Sequence, residues 1–313
     1  MATLHSVMPS NRKLLALAQL VRLPNVFTAM ADIGLGAIVT GALPSQVDSF
    51  LLLLSASSFL YMAGMVWNDY FDRAQDRRER PSRPLPSERI SPLTAAGLGV
   101  VLLAGGLACA FQADMRAEGF RWHSSVLALC LVAAILLYDG WLKRTWAGPV
   151  SMGTCRFLNV LLGLSVAPAP TGAWGVFLAL VIGIYITGVT WFARTEARTS
   201  NQNVLLAASA VMLAGLLLAL AVPVVAEAAG LPFTTSFFFP YLLVGVGFYL
   251  GIPVVRAILD PQPKRVQKAV KRLVLGLVLL DAVLATALVG IVGIVLAGLL
   301  VPALYLGRWV YST

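Results

Sequence analysis

Residues 49–76 read SFLLLLSASSFLYMAGMVWNDYFDRAQD. The stretch 49–67 carries no charged side chain. At 1.5 Å per residue, a helix needs about 20 such residues to cross the hydrocarbon core of a bilayer. The next residues bring Asp69, Asp72 and Asp76 at i, i+3 and i+7. On a helix these lie within about 60° of one another, with Asn68 bordering the same face. An apolar span therefore runs directly into an acidic stripe at the membrane surface.

The rest of the chain repeats the apolar half of this pattern. Of 313 residues, 59% are hydrophobic and 12% charged, against roughly 25% charged in an ordinary soluble domain. Mean hydropathy is +0.84. Such a chain cannot cover a water-facing surface, which excludes a soluble enzyme, a disordered protein and a secreted disulfide scaffold. Apolar stretches lie near 14–41, 49–67, 93–112, 124–142, 150–168, 173–194, 203–226, 236–258 and 268–308. The last is too long for one span and can split at Gly290 and Gly293. These runs predict one all-α transmembrane domain over 1–313, with nine or ten helices.

Lys and Arg fall on every second connection: Arg12, Lys13 and Arg22, six arginines over 73–89, Lys143 and Arg144, Arg194 and Arg198, and six bases over 256–272. The connections 42–48, 169–172 and 227–235 carry none, and 113–123 offsets its two arginines with Asp114 and Glu118. The positive-inside rule then predicts a cytoplasmic N-terminus and cytoplasmic motif loops. Arg308 joins that side if there are ten helices. This alternation accounts for the pI near 9.8 without nucleic acid. Three cysteines within apolar runs and two histidines support neither a disulfide framework nor a histidine metal cluster.

Three carboxylates on one stripe repel unless a cation joins them, and hard oxygen ligands suit Mg²⁺. A solvated helix end would have the same spacing. The stretch after them, Arg77-Arg78-Glu79-Arg80-Pro81-Ser82-Arg83-Pro84-Leu85-Pro86, is held extended by its prolines and offers guanidinium donors suited to phosphate oxygens. Within the fifth apolar run, Arg156 and Asn159 stand at i and i+3. An intramembrane arginine is costly and faces a cavity or a partner, unless it snorkels to the interface. Asp281 is also intramembrane, but no motif accompanies it.

Asn68-Asp69-x-x-Asp72-x-x-x-Asp76 followed by Arg80-Pro-x-Arg83-Pro-Leu-Pro resembles the first signature of the UbiA family of intramembrane prenyltransferases. Arg22-Leu23-Pro24-Asn25 is similar to an Arg…Asn element of that family's first helix, with the proline displaced by one place. Tyr138-Asp139-Gly140-Trp141-Leu142-Lys143-Arg144 is similar to its Tyr…Lys element. The resemblance implies an all-helical bundle around a central, lipid-open cavity, and transfer of an isoprenoid chain from a prenyl diphosphate to a lipophilic acceptor in the membrane lipid, with Mg²⁺ as cofactor. It further implies that Asn68, Asp69, Asp72 and Asp76 hold the metal, that Asp69, Asp72, Lys143 and Tyr138 act in catalysis, and that Asn25, Arg80 and Arg83 frame the substrate. Where the family carries a second aspartate-rich motif, this chain reads Trp191-Phe192-Ala193-Arg194-Thr195-Glu196-Ala197-Arg198. Arg194 and Arg198 are then expected to meet diphosphate in place of a second metal. Glu196 is expected to pair with Lys143 or Arg144, or to hold the single ion. The altered motif leaves open a UbiA-like protein, as in the EboC-like group, that binds or translocates a lipophilic metabolite without prenyl transfer.

Overall fold

The computed structural model describes residues 10–43, 45–116, 121–168, 172–230 and 235–310. The expected connections 113–123, 169–172 and 227–235, with Glu118, lie wholly or partly outside these residues. Helices joined by turns make up the described residues, with no strand among them. In a membrane this follows from the backbone, because each peptide group must find its hydrogen bond within its own segment. The helices are α1 (Ser10–Leu20), α2 (Val26–Val39), α3 (Val47–Glu79), α4 (Pro92–Arg116), α5 (His123–Gly140), α6 (Gly148–Leu164), α7 (Ala173–Ala193), α8 (Gln202–Ala219), α9 (Val222–Ala228), α10 (Phe239–Leu259), α11 (Pro263–Val289) and α12 (Leu300–Leu306). A 3₁₀ segment over Leu23–Asn25 joins α1 to α2, and another over Gly290–Leu299 joins α11 to α12.

Among the described residues, seven helices are long and apolar enough to cross a membrane, or up to eight if the bent pair α1 and α2 forms one span. Three local features separate this count from the nine or ten expected from hydropathy. Helix α6 has only 17 residues, at the short end for a span. The 44-residue stretch Pro263–Leu306 has Gly290 at φ 73°. Gly293 then returns against the backbone of Ala285 and Thr286, so the chain doubles back on itself. The first apolar run is also interrupted. Arg22 adopts a left-handed φ of 47°, Pro24 in the 3₁₀ segment offers no backbone N–H, and the axis bends by 45°.

Small residues bring the helices together, as is usual where lipid supplies no hydrophobic drive between spans. A methyl on Gly36 of α2 would fall on the backbone of Gly163 and Leu164 in α6. Tyr185 and Phe192, both fully buried on α7, anchor the packing of α7 against α8, α10 and α11. The Tyr185 hydroxyl donates to the Leu273 carbonyl at 3.0 Å.

Side-chain and backbone contacts draw four of the basic connections to one end of the bundle. Lys143 reaches Asp72, Arg194 reaches the Thr145 carbonyl, Arg80 meets Glu196, and Ser200 donates to the Pro261 carbonyl. Gly307 approaches Pro24, which puts the end of α12 at that same face.

Candidate active site at the mouth of an intramembrane cavity

Helix α3 continues without interruption from its apolar run through Glu79, so Asp69, Asp72 and Asp76 share one face as their spacing predicts. Basic side chains join these carboxylates. Arg83 is buried and donates to Asp69 at 3.2 Å and to Asp76 at 2.8 Å. Arg22, aimed by its left-handed backbone, meets Asp69 at 3.3 Å. Lys143 lies 2.8 Å from Asp72, with Arg144 3.5 Å from its other oxygen. Burial lowers the Arg83 guanidinium from its ordinary range; Arg22 and Arg80 add to this, and Asp69 and Asp76 oppose it. Arginine stays charged regardless.

A residue that motif reading passed over completes the mouth. Asp139, buried at the end of α5, accepts from the Asn68 amide at 2.9 Å and lies 3.8 Å from Lys143. Its signal in the sequence was its place beside Tyr138, in the stretch that carries Lys143.

Under this mouth lies a cavity of about 200 Å³. Arg22, Asn25, Tyr138 and Asp139 line its polar end, and Leu60, Leu131, Ile135, Met152 and Val189 its apolar walls. Arg156 and Asn159 lie at its deep end, so Arg156 does not snorkel to the interface. Its guanidinium donates to Asp32 at 3.0 Å and to the Thr28 hydroxyl at 2.7 Å, and stacks over the Tyr61 ring at 5.4 Å. The Asn159 amide donates to Asp32 at 2.8 Å and accepts from Ser57 at 2.7 Å. Behind this network Asp281 is fully buried against the Asp32 carboxyl, and no basic or amide donor among the described residues reaches its oxygens. Asp32 was the unread half of the Arg156 signal: a buried guanidinium requires a carboxylate, and the first span holds one.

The second motif differs from expectation. Glu196 pairs with Arg80 at 3.2 Å, not with Lys143 or Arg144, because α7 ends beside the loop after α3, which folds into successive hydrogen-bonded turns and is not held extended as its prolines suggested. Arg194 donates to the Thr145 carbonyl at 2.7 Å, and Arg198 is exposed. Among the described residues no three His, Cys, Asp or Glu side chains converge as a metal cage. Mg²⁺ needs no such cage, since one or two carboxylates with phosphate oxygens and water satisfy it. The donors on α3 fit one such ion. The Glu196 side, with one carboxylate beside Arg80, does not fit a second.

Comparison with known proteins places this arrangement. The chain is 30% identical over 169 residues to a digeranylgeranylglyceryl phosphate synthase of Halobacterium salinarum (strain ATCC 29341 / DSM 671 / R1), covering 52% of this chain and 57% of the relative. It is 30% identical over 174 residues to a protoheme IX farnesyltransferase of Methylobacterium nodulans, covering 53% and 50%. Matches to the curated synthases include one covering only 34% of the relative's length, so the chain spans about half or less of the curated relatives it matches. The fold is similar to that of a UbiA homologue from Archaeoglobus fulgidus solved with DMAPP and Mg²⁺, at TM-score 0.57 and 14% identity, covering 90% of this chain and 99% of that one. The sequence model of the UbiA prenyltransferase family matches residues 26–276, most of the chain, with Asp69, Asp72, Asp139 and Lys143 inside the match and Arg22 and Asn25 just before it, and the chain belongs to that family.

Proposed function

We propose that the protein transfers an isoprenoid chain from its diphosphate to a lipophilic acceptor within the membrane. The observation that carries this reading is the continuity between an apolar cavity and a mouth of interleaved acidic and basic side chains. The relatives named as prenyltransferases and the homologue solved with DMAPP and Mg²⁺ support it.

In the transfer, the bond between the isoprenoid C1 and the diphosphate oxygen breaks, and its electron pair leaves with the diphosphate. C1 bonds to a nucleophilic atom of the acceptor, which gives up its proton. Lys143 and Arg22 stand where the negative charge develops, held in place beforehand by Asp72 and Asp69, so little reorganisation accompanies the charge. The apolar walls keep water from the allylic centre, and Tyr138 borders it. Asp69 and Asp72, with Asn68, would hold one Mg²⁺, which when bound neutralises diphosphate charge; Asp76 braces the site through Arg83. Arg194 and Arg198 provide fixed charge on the far side, while Arg80 and Glu196 close the loop between them. Arg156, Asn159 and Asn25 orient the acceptor or chain inside. The topology in this reading has ten passes, with the mouth and both termini cytoplasmic.

Calorimetric titration of the purified protein with geranylgeranyl diphosphate over a magnesium series tests this reading. Binding should depend hyperbolically on magnesium, as for one ion. Asp72→Asn should abolish the magnesium-dependent component while leaving the unfolding profile intact. Survival of that component in Asp72→Asn would make the first motif structural. The pairing of Glu196 with Arg80 favours a second reading, an EboC-like carrier of a lipophilic metabolite, which would bind lipophile in the cavity without magnesium.

A further inference from the structure

Six bases, Arg256, Lys264, Arg265, Lys268, Lys271 and Arg272, crowd the junction of α10 and α11 with one carboxylate, Asp260, among them. That carboxylate pairs with Arg265 at 3.0 Å. Among the described residues, Arg256, Lys268 and Lys271 have no ion-pair partner. Arg272 lies over the Tyr249 ring, 4.9 Å from its centroid. Topology alone requires positive charge near a connection, and the connection here is only residues 260–262. The bases instead continue along α11 on one stripe, Arg265, Lys268 and Arg272 at i, i+3 and i+7.

The same stripe then turns apolar. One further turn brings Leu275 and Gly276, and the next Leu279, so the change from basic to apolar occurs over about 10 Å of helix. Two surface cavities lie along it. One, of about 390 Å³, is bordered by Arg256, Lys268 and Arg272 against α10. The other, of about 220 Å³, shares Lys268 and Arg272 and runs down between Tyr249, Leu279 and the exposed Leu304 of α12. Charged heads above a lipid-facing apolar groove match the two ends of one molecule.

We infer that this groove binds an anionic phospholipid. Its phosphate sits between Lys268 and Arg272, and an acyl chain lies along Leu279 and Leu304. Charge complementarity selects the anionic head, and the apolar continuation of the same stripe selects a lipid over a soluble phosphate. The site lies outside the reaction cavity and shares no residue with it.

Native mass spectrometry of the full chain with phosphatidylglycerol or phosphatidylcholine tests the inference. Phosphatidylglycerol should be retained in preference to phosphatidylcholine. Lys268→Gln with Arg272→Gln should weaken its binding about 30-fold, from two bases each contributing on the order of fivefold near a membrane surface. Lys264→Gln, outside the groove, should change it little. A matching unfolding profile for the double variant would exclude misfolding. Leu304→Gln, which keeps every base, should also weaken retention. Equal retention of both lipids, or no loss in the double variant, would overturn the inference. Full competition by inorganic phosphate would also overturn it, by showing a soluble-anion site.

Discussion

Arg156→Met removes the guanidinium that holds the floor of the cavity. Asp32 is fully buried and loses a charged donor at 3.0 Å, while the Thr28 hydroxyl loses its donor at 2.7 Å. Breaking one partner out of a buried ion pair costs about 3–5 kcal/mol, because the other charge is stranded. The Asn159 amide, 2.8 Å from the same Asp32 oxygen, remains, and a hydrogen bond to a charged group contributes about 1.5–3 kcal/mol. The loss should therefore fall at the lower end, about 3 kcal/mol. Adding Asp32→Asn removes the stranded charge, so the double variant should be more stable than Arg156→Met alone by about 2 kcal/mol. Unfolding in mixed detergent and SDS micelles measures all four corners of this cycle. A cost under about 1 kcal/mol for Arg156→Met, or strict additivity in the double variant, would refute the buried pair.

Three further outcomes follow from the geometry. Asp281→Asn replaces one of two buried carboxyls that lie against each other, Asp281 and Asp32, and Asp281 has no ion pair among the described residues, so stability in the same micelles should hold or rise by up to about 2 kcal/mol; a marked fall would show that the carboxyl pair itself is stabilising. Gly36→Ala drives a methyl into the α6 backbone at Gly163 and should cost about 1–3 kcal/mol of stability, read by the same unfolding. Arg198→Ala removes an exposed guanidinium and should weaken diphosphate binding by about 1.5–3 kcal/mol in calorimetry; unchanged binding would assign it to membrane orientation alone.

The chain's apolar runs made most of its spans legible, because a bilayer demands long uncharged helices and leaves few alternatives. Hydropathy could not show the bend at Arg22, which depends on a single backbone dihedral inside apolar sequence, whereas the length of the last run and its Gly290 and Gly293 already pointed to the break found there. The spacing of Asp69, Asp72 and Asp76 displayed their shared face, and Lys143 arrived beside them as its motif implied. What spacing could not show was pairing across helices. Arg83 between Asp69 and Asp76, Asp139 under Asn68, Asp32 against Arg156 and Glu196 with Arg80 join residues from 7 to 124 positions apart, and only packing selects among such partners. Asp281 and Asp32, two buried carboxyls that no motif flagged, lie against each other behind the cavity.

Prenyl transfer itself is the central claim, and product formation tests it most directly. The purified protein in lipid nanodiscs, supplied with magnesium, labelled geranylgeranyl diphosphate and a membrane lipid extract, should release diphosphate and label a lipophilic product. Asp72→Asn should do neither, although its cavity is unchanged. Binding of the labelled diphosphate with no release and no labelled product, across isoprenoid lengths, would contradict the account and leave a lipophile-binding protein.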